Sequence, residues 1–243
     1  MNLILHHHSG RANGTLTSMI DTYFNLQDVE LKIISGDHVH NTIQFIRDND
    51  YFGDKGILNC LTKDLSFEAN TIICSAKLLV DINVFNIKIK CKRMIVLDSL
   101  DIFKLNKNIV SFSIPTLDMI FLCNPANKVP FKTHEYYHKF SHKRLDTLKK
   151  SCELQIYSRM SRDDIIVDNI PFENIGKRVW ENLYHGTKVL YQPDGLRIED
   201  GLCYYMKLFG LDCNKEKILS VTREQIVDKL FMKEDDLIYE LLS

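Results

Sequence analysis

Long apolar runs are missing from this chain: nothing in its 243 residues approaches the roughly 20 that cross a bilayer. The N-terminal stretch Met1-Asn-Leu-Ile-Leu-His-His-His8 also lacks the basic start and long apolar core of a signal peptide, so we expect a cytoplasmic protein. Close cysteine pairs are missing too. The seven cysteines stand at positions 60, 74, 91, 123, 152, 203 and 213, which excludes short-spaced zinc and redox motifs and predicts reduced, mostly buried thiols. Charge of one sign is not in excess: a formal net charge of −1 argues against coating nucleic acid by bulk electrostatics. Internal repeats and low-complexity tracts are absent as well. What remains is ordinary globular composition, 45% hydrophobic and 26% charged, long enough for one large domain or two small ones. The excess of Ile, Asn, Lys and Asp over Ala and Gly has the look of AT-rich coding, common in phages.

The order of patterns predicts an α/β fold. An apolar strand at residues 2 to 6 runs into the turn-rich loop Ser9-Gly10-Arg11-Ala12-Asn13-Gly14-Thr15, then a helix from about Leu16 to Asn25 on which Ile20, Tyr23 and Phe24 recur at helical spacing. Strand, glycine loop, helix opens a doubly wound unit. A strand at 30–35 and a helix at 38–47 follow, then strands at 71–75, 84–89, 93–98 and 108–113. Near Pro115 the pattern resets, and a fresh strand at 117–123 is expected to open a second domain, giving domains 1–115 and 116–243. Its predicted elements are a helix at 133–150, strands at 154–158 and 165–167, a helix at 176–184, a strand at 188–192, a helix at 198–209 and helical periodicity over 222–242. Two Rossmann-like halves of this kind place ligands at strand C-terminal ends beside a cleft.

The densest motif is Glu173-Asn-Ile-Gly176-Lys177-Arg178-Val-Trp-Glu181, followed by Asn-Leu-Tyr-His-Gly186 and the apolar run Lys188-Val-Leu-Tyr-Gln192. A carboxylate there accepts hydrogen bonds from sugar or ribose hydroxyls, while Arg178 and exposed amides suit a diphosphate. This segment resembles the donor site of GT-B-fold glycosyltransferases, retaining members of which carry two glutamates at this spacing with glycine fourth in the motif. The wording Arg178-Val-Trp-Glu181 also resembles the phage DNA glucosyltransferases. The resemblance implies that Glu181 holds the donor ribose, Glu173 the transferred sugar and Arg178, with Lys177, the diphosphate. Gly176 would allow close approach of the donor to backbone amides. Two surface carboxylates on a helix are the plain alternative.

The same resemblance implies further residues. Lys139, Lys143 and Arg144, on the predicted helix early in the second half, would stabilise the departing diphosphate and make a metal unnecessary; a solvated basic face is their commoner fate. Asp98, at the end of a predicted strand and with Asp101 as its competitor, would be the catalytic base, although a turn or cap aspartate reads equally well. The loop after the first strand would bring Gly10 to the donor and His8, Arg11 and Asn13 to the acceptor side. His6, His7 and His8 alternate faces on a strand, so all three rings cannot share one metal.

The donor is thus expected to be a nucleotide-diphosphate sugar, with no other cofactor required. The acceptor is expected to be a hydroxyl: a hydroxymethylated pyrimidine in phage DNA, favoured by seven Lys or Arg against two acids between Lys128 and Lys150, or a saccharide or lipid-linked group. Paired glutamates imply retention, an active Asp98 inversion. A rival motif, His134-Glu135-Tyr136-Tyr137-His138, has the spacing of zinc metalloproteases if it is helical. A non-catalytic nucleotide-binding protein is the third class.

Overall fold

The computed structural model describes residues 1–8, 14–48, 55–97, 118–123, 132–136, 139–153, 165–168, 177–191, 206, 208–212, 215, 217–233 and 236–242. The chain divides into two compact units, residues 1–141 with 232–243, and residues 142–231.

The first unit is built on strands β1 (Asn2–His7), β2 (Val29–Ile34), β3 (Leu61–Thr62), β4 (Ser66–Ser75), β5 (Lys88–Leu97), β6 (Asp118–Cys123) and β7 (Lys132–Glu135). They form one sheet in the order β3-β2-β1-β4-β5-β6-β7, and every pairing is parallel. A parallel strand is covered on both faces, so its sequence is continuously apolar rather than alternating. β1 shows this directly: Leu3 and Leu5 enter one core with Leu78 and Leu79, while Ile4 enters the other with Leu16, Met19 and Ile20. Leu16, Met19 and Ile20 come from helix α1 (Gly14–Asn25), and Leu78 and Leu79 from helix α3 (Ala76–Val84). Helix α2 (Val39–Asp48) lies between β2 and β3 in the chain. The C-terminal segment closes the α1 face. Met232 and Ile238 lie in its core, Tyr239 Oη donates to Asn25 O at 2.6 Å, and Arg93 Nη1 donates to Leu241 O at 2.8 Å.

The second unit carries helix α4 (His142–Glu153), strand β8 (Ile165–Asp168), helix α5 (Lys177–Tyr184), strands β9 (Lys188–Tyr191) and β10 (Lys217–Ile218), and helix α6 (Arg223–Leu230). Its described strands are ordered β10-β9-β8, with β8 and β9 parallel and β10 antiparallel to β9. The unit β8–α5–β9 is therefore a parallel crossover. Trp180 on α5 is buried and stacked on Phe209 at 4.6 Å between centroids. Helix α6 starts in a capping box, with Gln225 N donating to Thr222 Oγ1 and Thr222 N donating to Gln225 Oε1. A last helix, α7 (Leu237–Leu242), belongs to the first unit.

The α/β expectation is met in its coarse form, a parallel sheet flanked by helices. Three expectations are corrected. The strand after Pro115 does not open a new sheet: β6 pairs with β5 through Arg93↔Asp118 to Leu97↔Leu122, so the division falls after Ser141. The helix expected over 133–150 is instead β7 followed by α4 from His142, because Ile120 to Cys123 supply an open ladder edge that residues 132–135 complete. The strand expected over 84–89 is the end of α3 and the start of β5. The expected strands at 108–113 and 154–158 lie outside the described residues, as does most of the helix at 198–209. Among the described residues no helix is long and apolar enough to cross a membrane.

Candidate functional site

In the first sheet the strand order reverses at β1. Chain succession runs outward from β1 to β2 and β3 on one side, and from β4 to β7 on the other. In open parallel sheets this switch point opens a crevice at the strand carboxyl ends, the place where such folds bind ligands. The residues at that edge of β1 are His6, His7 and His8, all buried. β2 ends at Ile34, followed by Ser35, and β4 ends at Ser75, which precedes α3.

His7 points to the α3 face, as the alternation from Leu3 and Leu5 requires. There its Nδ1–H donates to Asp81 Oδ2 at 2.8 Å, and its ring lies 4.3 Å from that of Phe85, centroid to centroid. Lys77, one turn before Asp81 on α3, donates from Nζ to the same Oδ2. Burial pushes the Asp81 carboxyl upward, but the hydrogen bonds from His7 and Lys77 outweigh it and hold the group below the usual carboxylate range. The group is therefore a fixed anion with two donors. Asp81 orients the imidazole in the tautomer whose Nε2 bears the lone pair.

His6 faces the other way, toward the α1 core. It is fully buried, neither ring nitrogen has a hydrogen-bond partner among the described residues, and its ring lies 6.0 Å from that of His8. Burial lowers its pKa to about 3, helped by His8, Lys77 and His7 and opposed by Asp81, so the ring is neutral at physiological pH. The hydroxyls of Ser35 and Ser75 are likewise buried without a partner among the described residues. Buried polar atoms left unpaired cost about 1–3 kcal/mol each, and natural folds tolerate them chiefly where something other than stability is at stake.

In the second unit two of the expected donor residues meet. Arg144 Nη1 donates to Glu181 Oε1 at 2.8 Å, with Arg144 1% and Glu181 12% exposed. Arg144 is thus not a cation presented to solvent, as a phosphate ligand on an open helix face would be. Its guanidinium fixes the carboxylate of Glu181. Lys143, on the same helix, is half-buried, and Lys139 precedes the helix rather than lying on it. In the same unit, His185 lies 3.2 Å from Cys152 Sγ through Nδ1 and 3.1 Å from Ser151 Oγ through Nε2. Burial lowers His185 to about 4, with Arg223 contributing, and burial raises Cys152, so the two remain thiol and neutral imidazole rather than an activated ion pair.

His8 is fully buried, and its N–H donates to Ile34 O at 2.8 Å. Lys177 and Arg178 form the first turn of α5; their side chains are outside the described set, as are Gly10, Arg11, Asn13, Asp98, Asp101, Glu173 and Gly176 altogether. The metalloprotease motif is overturned. His134 and Glu135 lie on strand β7, where successive side chains take opposite faces, so they are not the first turn of a zinc-binding helix. Among the described residues no group of three or more His, Cys, Asp or Glu is arranged to hold a metal ion.

Reasoning from the sequence missed Asp81 and Lys77. The signal was present as a Lys and an Asp four residues apart in Ala76-Lys-Leu-Leu-Val-Asp81, but it counts only if that run is helical. Comparison with protein-family models, curated proteins and solved structures returned no match.

Proposed function

We propose that the chain is a glycosyltransferase with two Rossmann-like domains of GT-B type, moving a sugar from a nucleotide-diphosphate donor to a hydroxyl. The observation that carries this reading is the setting of the Glu173–Glu181 motif. It belongs to the crossover between two parallel strands, so the connection it begins in leaves the carboxyl end of β8, the ligand-binding edge of such a unit. The hold of Arg144 on Glu181 supports it further, because a carboxylate pinned by a buried guanidinium is a preorganised acceptor for two vicinal hydroxyls. In this reading Glu181 takes the ribose, Arg178 and Lys177 the diphosphate, and Glu173 the sugar. Arg144 acts through Glu181 rather than on phosphate. The acceptor favoured by the Arg178–Glu181 wording is a hydroxymethylated pyrimidine in phage DNA, which a duplex substrate would deliver by base flipping.

The test is a panel of sugar nucleotides offered with hydroxymethylated DNA, nucleosides then being read by mass spectrometry and free nucleoside diphosphate by chromatography. A mass increment on the nucleoside is the expected result; an increment on an added saccharide or lipid-linked acceptor moves the assignment to that acceptor. Glu181→Gln keeps an oxygen for Arg144, so its fold should survive. Its donor affinity should fall about tenfold, the loss of one charge-assisted hydrogen bond. Unchanged affinity in a folded Glu181→Gln protein sinks the donor-site assignment.

A further inference from the structure

We propose that Cys152 Sγ and His185 Nδ1 are the two protein ligands of a zinc-class cation, with Ser151 holding the imidazole in place. The site lies within the second unit and is independent of the glycosyl-transfer reading. Ser151 and Cys152 stand in the last turn of α4, and His185 follows α5. All three residues are half-buried, so an ion reaches them from solvent. The hydrogen bonds decide the tautomer. Ser151 Oγ–H donates to Leu148 O at 3.2 Å, so in its contact with His185 at 3.1 Å it is Nε2–H that donates. The Nδ1 lone pair therefore faces Cys152 Sγ, 3.2 Å away. Metal-binding histidines are held in this way, one ring nitrogen toward the ion and the other donating to a neighbouring oxygen.

A tetrahedral zinc at its usual bond lengths sets sulfur and nitrogen about 3.6 Å apart, so the pair opens by only about 0.4 Å to admit it. Thiolate with imidazole is a soft donor set, which favours zinc or copper(I) over magnesium or calcium. The negative dipole end of α4 adds to the attraction. Arg223 opposes a cation, but its Nε is committed to Tyr184 O at 2.6 Å, and Glu153 offsets its charge; Tyr184 and Glu224 complete the titratable surroundings. No third His, Cys, Asp or Glu joins the pair among the described residues, so water fills the remaining positions. Binding is a proton exchange without electron transfer. Zn2+ takes the Cys152 thiolate and the Nδ1 lone pair in place of two of its waters, and the thiol proton passes to buffer. Burial raises the thiol and lowers His185 to about 4, so at pH 7 Cys152 gives up one proton and His185 none.

The test is calorimetric titration of the whole chain, first stripped with a chelator, with Zn2+ in two buffers of different ionisation enthalpy. Expected is one ion per chain beyond the number bound by Cys152→Ser or His185→Ala, with release of one proton at pH 7. Cys152→Ser keeps a hydroxyl for Nδ1, so its metal-free urea midpoint, read by Trp180 fluorescence, should match the wild type. Co2+ in place of Zn2+ should give the wild type a thiolate-to-cobalt charge-transfer band that Cys152→Ser lacks. Ser151→Ala keeps both ligands but loses the support of the ring, and should bind Zn2+ about 10–100-fold more weakly. A wild type that binds no more Zn2+ than a folded Cys152→Ser overturns the site, as does binding without proton release. An affinity of Ser151→Ala within about threefold of the wild type overturns the role of Ser151.

Discussion

His6 allows the electrostatics of the β1 edge to be tested without any substrate. Its ring is fully buried, and its pKa falls from 6.5 in the unfolded chain to about 3 in the fold, chiefly through burial. Between those values the unfolded state binds more protons than the folded one, so stability that is intact above pH 6.5 drains away as pH falls toward 3. At pH 5 the deficit is 1.5 pKa units, or about 2 kcal/mol. His6→Leu removes the titrating group, and with it two unpartnered nitrogens, at a shape cost of up to about 1.5 kcal/mol. The absolute change at pH 8 is therefore small and of either sign. Its pH dependence is not: the variant should gain about 2 kcal/mol on the wild type between pH 8 and pH 5, because all other titrations cancel in the difference. Native-state hydrogen exchange of the β1 amides, followed against urea at the two pH values, measures this in the first unit. The sole tryptophan, Trp180, reports the second unit instead. A difference constant to within about 0.5 kcal/mol across that range refutes the neutral, desolvated state assigned to His6.

Two predictions concern the second unit. Gly186 ends α5 at φ +86, with Thr187 N donating to Asn182 O and Gly186 N to Leu183 O, both at 3.0 Å, the Schellman pattern. A Cβ there meets no atom of the described residues within 4 Å, so Gly186→Ala should cost the backbone term alone, about 1–2 kcal/mol, read as a lower urea midpoint of Trp180 fluorescence; an unchanged midpoint contradicts the cap. Cys152, raised by burial beside a His185 lowered to about 4, should be alkylated by iodoacetamide at pH 7 more slowly than a free thiol. Peptide mapping that finds it the fastest-reacting cysteine, with an acid-shifted rate profile, would contradict the neutral pair.

The sequence was most legible where a strand is buried on both faces. The expected start of β4 at residue 71 coincides with the first residue paired to β1, through Asn2↔Thr71, and the expected start of β5 at 93 with the first paired to β6, through Arg93↔Asp118. Both strands begin five residues earlier. Over Ser66–Ala69 and Lys88–Cys91 each is paired with the other and, among the described strands, with no third, and exposed residues alternate with half-buried ones, so no apolar run marks that ribbon. Helix α3 was illegible for the opposite reason. Val80, Ile82 and Val84 are β-branched and alternate as strand residues do, and packing of Leu78 and Leu79 against β1 and β4 overrides that local preference. Missing α3 hid Asp81, and without Asp81 the histidine singled out from the triplet was His8. Glu181 was legible because its motif is local, whereas its partner Arg144 lies 37 residues away and only the fold brings them together.

The two ion-paired centres are poorly explained by stability alone. A buried cation and carboxylate repay their desolvation poorly, and apolar residues of similar volume often hold a core as well. Yet Arg144 is almost fully enclosed with its charge directed at Glu181, and Asp81 is enclosed with donors from both Lys77 and His7. In each case the pair fixes the orientation of a polar group, the Glu181 carboxylate in one and the His7 imidazole in the other. The nitrogens of His6 and the hydroxyls of Ser35 and Ser75, without partners among the described residues, lie at the β1, β2 and β4 carboxyl ends. An edge optimised for stability alone would have closed those positions with valine or leucine. Polar groups kept there at a cost to folding single out the carboxyl edge of β1 as the candidate ligand edge of the first unit.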